Sequence, residues 1–298
     1  MSHHSFSRFL LPLCAALAVL LAGCRYENRP SLSTADQPSP SRRLSDNLDY
    51  GVPGGCDFVI EREGYALGYR RAWRQSAWVS YRLTAAEVCA AVCDRSKLFL
   101  PDPDIRDDYA LPSDYTRSGY DRGHLAPAAD FRWSPTAMAQ SFYMSNISPQ
   151  LPVFNRGIWS NLEAWVRTQS IAETNIVIIT GPIVTSNDLA RTIGWHRVVV
   201  PSAFYKVIYD ETPPQKMIGF IIANAGFSPD LSRFVCTVDF VETATGLDFF
   251  ADLPDDEEAR LEAASDFSAW YPAPPPRHHF RPLTPSPDGR TAFDQLPF

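Results

Sequence analysis

The sequence predicts a mixed α+β domain built on a central sheet covered on both faces. Four runs of strand length, "NIVIITG", "HRVVVP", "AFYKVIY" and "MIGFIIAN", are apolar on both sides of the pleat, the pattern of strands with two buried faces. Residues 155–170, "NRGIWSNLEAWVRTQS", place Ile158, Leu162, Trp165 and Val166 on one face of a helix. Two more helices are marked by their ends: Thr84 and Glu87 form a capping-box pattern, and Gly246 stops the segment 237–245.

The elements follow in chain order. "YALGYRRA" and "SAWVSYRL" read as the two strands of a hairpin. The helix opened by Thr84 carries Cys89 and Cys93, and a loop rich in Pro and Asp, 100–119, leads into "SGYDRGHLAPAAD", where a strand ends at His124. Ser134-Pro135 starts a short helix, "SFYMSN" reads as a strand ending at Asn146, and Asn155 opens the amphipathic helix. The four apolar strands come next, then the helix that stops at Gly246 and an acidic helix after Pro254. Trp159 and Trp165, at helical spacing, belong to the core.

The ends of the chain read differently. Polar residues with Arg8 precede the apolar run "FLLPLCAALAVLLAG", which is short for a permanent membrane span and reads as an export signal, 1–23. Leu21-Ala22-Gly23-Cys24 resembles the lipobox of bacterial lipoproteins, which implies a lipidated Cys24 and membrane attachment. Arg25 in place of Asp implies the outer membrane of a bacterial cell envelope. Residues 24–50 and 272–298, rich in Pro, Ser and charge, read as a tether and a tail around a domain at 51–271. Cys56, Cys89, Cys93 and Cys236 suggest one or two disulfides in an exported protein, and no second close ligand pair supports zinc. The net charge of −7 does not look like that of a nucleic-acid binder, but seven acids against one Arg fall within 252–266, so a locally basic cleft remains compatible with it.

Outside both termini the chain carries only two histidines, His124 and His196. His196 begins a strand and is given no catalytic role. Two strands and a helix bring His124 and Asn155 towards one another with Arg122 close by. Glu163 lies on the same broad side of the helix as Asn155, but ~1.5 Å per residue separates them by about 12 Å along the axis. One direct and one water-mediated contact to a single ion is the simpler arrangement.

"DRGH", "SNISPQ" and "NRGIWSNLE" together resemble the DNA/RNA non-specific endonucleases, the ββα-metal nucleases. "WVSYRL", "IITGPI", "VPSAFYKVI", "IGFIIAN" and "VETATGLDFFADLPD" occur in that family's order, so the resemblance covers roughly 60–265. It implies a ββα-metal fold with a mostly antiparallel sheet flanked by helices, and hydrolysis of DNA and RNA to 5′-phosphate ends. It implies Mg2+, with Mn2+ as a substitute, bound directly by Asn155 and through water by Glu163. His124 matches the general base, and a histidine of ordinary pKa, near ~6.5, is suited to accept a proton around neutrality. Arg122 and, on a looser pattern with Phe99, Asp102 and Ile105, Arg95 match phosphate-binding guanidinium groups. Asn146 completes the catalytic set and, with Asp121, is expected to brace the loop and orient His124 or Arg122 rather than touch substrate.

Two other functions fit parts of the pattern. An inactive surface lipoprotein that holds nucleic acid or a protein would be expected to have lost at least one of His124, Asn155, Glu163 and Arg122. A Cys–His hydrolase needs a thiol beside His124, and none is close in sequence.

Overall fold

Side-chain alternation along each strand turns one sheet into the partition between two cores. The computed structural model describes residues 46–226 and 230–270; the signal segment, Cys24, most of the tether and the Pro-rich tail lie outside the described residues. In chain order the main elements are β1 (Phe58–Glu61), β2 (Ala66–Arg70), β3 (Gln75–Thr84), α1 (Ala85–Cys89), β4 (Asp121–His124), α2 (Pro135–Gln140), β5 (Ile147–Gln150), α3 (Pro152–Phe154), α4 (Ser160–Glu173) and β6 (Asn175–Ile183). They continue with β7 (Thr192–Ile193), β8 (Val198–Val199), β9 (Ala203–Asp210), β10 (Lys216–Ala223), β11 (Val235–Cys236), α5 (Val238–Thr245) and α6 (Asp255–Glu262).

Seven strands form one sheet in the order β1-β2-β3-β6-β9-β10-β11, and every neighbouring pair is antiparallel. On β6, Ile176 and Ile178 join a core with Trp159, Leu162, Trp165 and Val166 of the amphipathic helix. Val177 and Ile179 face the other way, into a core with Val238 and Val241 of α5 and Leu261 of α6. The two tryptophans are core residues, as their spacing indicates. Thr84 and Glu87 form a complete capping box, Ser134 caps α2, and Gly246 ends α5 in the left-handed conformation at φ 69°. The α+β architecture, with an antiparallel sheet flanked by helices, is therefore present.

Several local expectations are corrected. The helix opened by Thr84 ends at Cys89, because the amides of Val92 and Cys93 turn away to bond the Arg132 carbonyl, at 2.9 and 3.1 Å. "SFYMSN" is not a strand: Tyr143 makes a single bridge to Leu100, Met144–Asn146 is a 3-10 turn, and the strand begins one residue later, at Ile147. "HRVVVP" shrinks to Val198–Val199, paired with Thr192–Ile193 in a separate two-stranded ribbon. Residues 46–50, assigned by composition to the tether, belong to the packed domain, since Asn47 is buried and accepts Ser80 Oγ at 2.7 Å and the Arg82 amide at 3.0 Å. Cys56, Cys93 and Cys236 carry free thiols, so no disulfide links the four domain cysteines to one another.

Candidate active site

β4 and β5 pair antiparallel, with Arg122 opposite Pro149 and His124 opposite Ile147. Gly123 between them is required by close approach: a Cβ there would lie 2.1 Å from Gln150 Oε1, on a buried side chain. After β5 the chain turns through α3 into a π-helical turn, Asn155–Trp159, that is kinked at Gly157 (φ −105°, ψ −114°), before α4. The kink changes the direction of the chain between Asn155 and α4. Two strands and a helix thus converge on a cleft of about 570 Å³ lined by Arg95, Arg122, His124, Pro127, Ala128, Asn155, Arg156, Ser160 and Glu163.

The floor of the cleft is aromatic. Phe99 and Phe142 pack at 4.9 Å, and the His124 ring meets Phe142 edge-on at 4.7 Å and Phe99 at 5.6 Å. The Arg95 guanidinium lies 5.2 Å from the Phe142 ring centre, and that of Arg122 lies 5.5 Å from Phe99. Arg122 is held by two donations to the Pro112 carbonyl, at 3.2 and 2.7 Å. His124 is 7% exposed, and burial, assisted by the positive charge of Arg95, brings it down to about 3. The ordinary histidine value therefore does not apply, and the imidazole is neutral throughout the physiological range. Its Nε2 is buried without a hydrogen-bond partner.

Asp121 sets the geometry of Asn155. Its carboxylate accepts Asn155 Nδ2 at 2.9 Å and, in a fork, Arg156 Nε at 2.8 Å and Nη2 at 2.6 Å. With its amide nitrogen committed, Asn155 has Oδ1 left as a neutral oxygen donor. Glu163, across the cleft, is half-buried, and burial raises its carboxyl against the attraction of Arg167, Lys206 and Arg95. Behind it, Asp130 accepts Arg167 Nη1 at 2.8 Å and the Tyr81 hydroxyl at 3.0 Å. The donor set, one amide oxygen and one carboxylate in a cleft open to water, fits a hard divalent cation that keeps most of its water shell.

Asn146 does not line the cleft. It is fully buried, its Oδ1 accepts the Ala126 amide at 2.9 Å, and its Nδ2 donates to the carbonyls of Ala126 and Ser141 at 2.9 and 2.8 Å. It braces the segment that follows His124 and has no donor left for substrate. His196 binds Asp114 through Nδ1 at 3.0 Å, a structural contact. Arg95, the loosest of the sequence matches, does sit in the cleft. Sequence reasoning missed Arg156, Ser160 and Lys206. Lys206 is the single charged residue within "AFYKVIY"; it is fully buried between Phe204 and Ile208, with Nζ 5.0 Å from the Trp159 ring. That lone charge in an apolar run was the available signal.

Residues 44–256 match the family described as DNA/RNA non-specific endonuclease. A nuclease of Syncephalastrum racemosum is 35% identical over 257 residues, covering 74% of this chain and 80% of that protein. The mitochondrial endonuclease G of Homo sapiens is 33% identical over 213 residues, covering 67% and 71%. Among solved structures, a chain from the EndoG/EndoGI complex, an inhibited EndoG, has a TM-score of 0.66 at 34% identity, covering 73% of this chain and 95% of that one. The match spans the strands, the π-helical turn and the helix that build the cleft, and the chain belongs to the DNA/RNA non-specific endonuclease family.

Proposed function

We propose that this protein is a sugar-non-specific endonuclease that hydrolyses internal phosphodiester bonds of DNA and RNA with a divalent cation, Mg2+ or in its place Mn2+, leaving 5′-phosphate ends. The observation that carries the reading is the meeting, in one cleft, of a neutral buried histidine, an amide oxygen fixed by Asp121, a carboxylate and three arginines. Asn155 would hold the cation directly and Glu163 through water. When bound, that cation supplies positive charge for the pentavalent transition state and for the departing 3′ oxygen. Arg95, Arg122 and Arg156 point-bind the phosphate oxygens, which selects the backbone and leaves base identity unread. His124 takes the proton of the attacking water. Its Nε2 is buried without a hydrogen-bond partner, so Nδ1 is the nitrogen assigned to that task.

Two other readings lose support from the same geometry. Among the described residues no cysteine lines the cleft, which speaks against a Cys–His hydrolase. An inactive binding module has no use for a base with its lone pair kept free of protons. The envelope location proposed for the protein rests on residues 1–25 alone, and Cys24→Ala should release it from membranes.

The test is cleavage of plasmid DNA and ribosomal RNA as a function of Mg2+ by wild type, His124→Ala and Asn155→Ala, with circular dichroism to confirm folding. His124→Ala should lose about 10²–10⁴-fold in rate at any metal concentration. Asn155→Ala should recover in part as Mg2+ is raised or Mn2+ supplied. Restoration of His124→Ala by metal would overturn its assignment as base, and cleavage of only one nucleic acid would overturn the broad substrate range.

A further inference from the structure

The face of the sheet opposite the cleft carries a second group of charges that the reaction does not use. Asp239 and Glu242 on α5 and Glu262 at the end of α6 each bring one carboxylate oxygen within 4.8 Å of the other two. Asp239 is exposed, Glu242 half-buried and Glu262 only 5% exposed, so the three run from the surface inward. Glu262 Oε1 is buried and accepts no hydrogen bond. Glu242 uses Oε1 to accept the Phe249 amide at 2.7 Å, which fixes the side chain and leaves its other oxygen available.

A buried carboxylate oxygen without a donor is costly unless a proton or a cation compensates it. Burial, and after it the neighbouring acids Glu242, Glu258, Asp239 and Asp248, disfavour a bare charge on Glu262. A shared proton would join Glu242 to Glu262 but would not engage the exposed Asp239. A cation serves all three at once, and the exposed Asp239 gives it a way in.

We propose that Asp239, Glu242 and Glu262 form a second divalent-cation site, separate from the catalytic cleft, that takes Ca2+ and ties α5 to α6. Calcium suits it because that ion accepts several carboxylates in irregular geometry and completes its shell with water, whereas magnesium demands near-octahedral order. The role is structural: the site fastens the two helices that cover this face, where Val238, Val241 and Leu261 pack on the sheet.

The experiment uses the full chain freed of divalent ions, with Ca2+ alone as the probe, read by thermal unfolding and by equilibrium dialysis. Wild type and Asn155→Ala, which removes the cleft's amide donor, should both bind Ca2+ outside the cleft tightly enough to raise the unfolding midpoint by several degrees. Asp239→Asn, exposed and so harmless to folding, should weaken Ca2+ binding about tenfold or more, in line with the dependence of such sites on ligand charge. Glu262→Gln should abolish the shift. No Ca2+-dependent shift up to about 10 mM, roughly tenfold beyond the weak end of protein calcium sites near ~1 mM, would overturn the proposal in favour of a shared proton. A shift lost in Asn155→Ala, or unchanged in Asp239→Asn, would overturn it in favour of binding in the cleft or elsewhere.

Discussion

At the scale of single residues, the site is tuned by partners that do not touch substrate. Asp121 is the clearest case, since one carboxylate orients both the Asn155 amide and the Arg156 guanidinium. Asp121→Ala should therefore weaken metal affinity about 10–100-fold, the usual cost of losing an outer partner of a ligand. The rate at saturating Mg2+ should stay much closer to wild type, and a metal titration of cleavage separates the two. His124 makes a prediction about pH. Its native value, about 3, lies below the ordinary histidine value. Between those values the unfolded chain binds a proton that the native protein refuses, so stability is full above the unfolded value and declines as pH falls towards the native one. Wild type should lose more stability between pH 7 and pH 5 than His124→Gln does, as denaturant midpoints would show. Cleavage by the wild type should likewise not halve in the ordinary histidine range, because the base stays deprotonated well below it.

Among elements, the strand pair β4–β5 and the π-helical turn carry the site, and they were unequally legible. The β4 strand was visible because His124 ends a short patterned segment. The "SFYMSN" stretch was misread because alternation alone cannot show that Asn146 spends its amide on Ala126 and Ser141, which bends the chain into a turn where a ladder was expected. The long strands β6, β9 and β10 were legible because both their faces are buried, leaving runs that are apolar on both sides of the pleat. What could not be read was distance: nothing in "AFYKVIY" says that Lys206 faces the helix bearing Glu163, nor that Asp121 reaches Arg156 across two elements. Gly123 is the exception, a short-range signal with a long-range cause, since the buried Gln150 side chain occupies the space of its missing Cβ. Gly123→Ala must displace the buried Gln150 side chain, and with it the β4–β5 spacing that this side chain fills. It should cost about 1–3 kcal/mol in stability, the range for overpacking a buried site, and should lower the cleavage rate at saturating metal because His124 moves with the strand. Full activity in that variant would show that the β4–β5 spacing does not position the base.

For the whole molecule, the distribution of charge matters more than its sum. The chain is acidic overall, yet three arginines line the cleft, while the acidic run 252–266 contributes α6 to the opposite side of the sheet. A polyanion approaching this protein therefore meets attraction at the site and repulsion behind it, which orients the encounter without raising affinity for nucleic acid everywhere on the surface. Each phosphate contact made by an arginine displaces condensed counterions, so log of kcat/KM should fall linearly with log of salt, by about 0.9 per contact on duplex DNA and about 0.7 on single strands. With three candidate contacts the slope for a duplex should approach roughly −3. Arg95 is the informative substitution, because it stacks on Phe142 and forms none of the ion pairs that hold Asp121 and Asn155 in place. Arg95→Gln should reduce the slope by about one and weaken cleavage of all sequences alike, as the loss of a backbone contact does. A slope unchanged by that substitution would mean that Arg95 faces solvent in the complex and that the phosphate is held by Arg122 and Arg156 alone. A change confined to certain sequences would instead place Arg95 against a base, and the protein would no longer be a reader of backbone only.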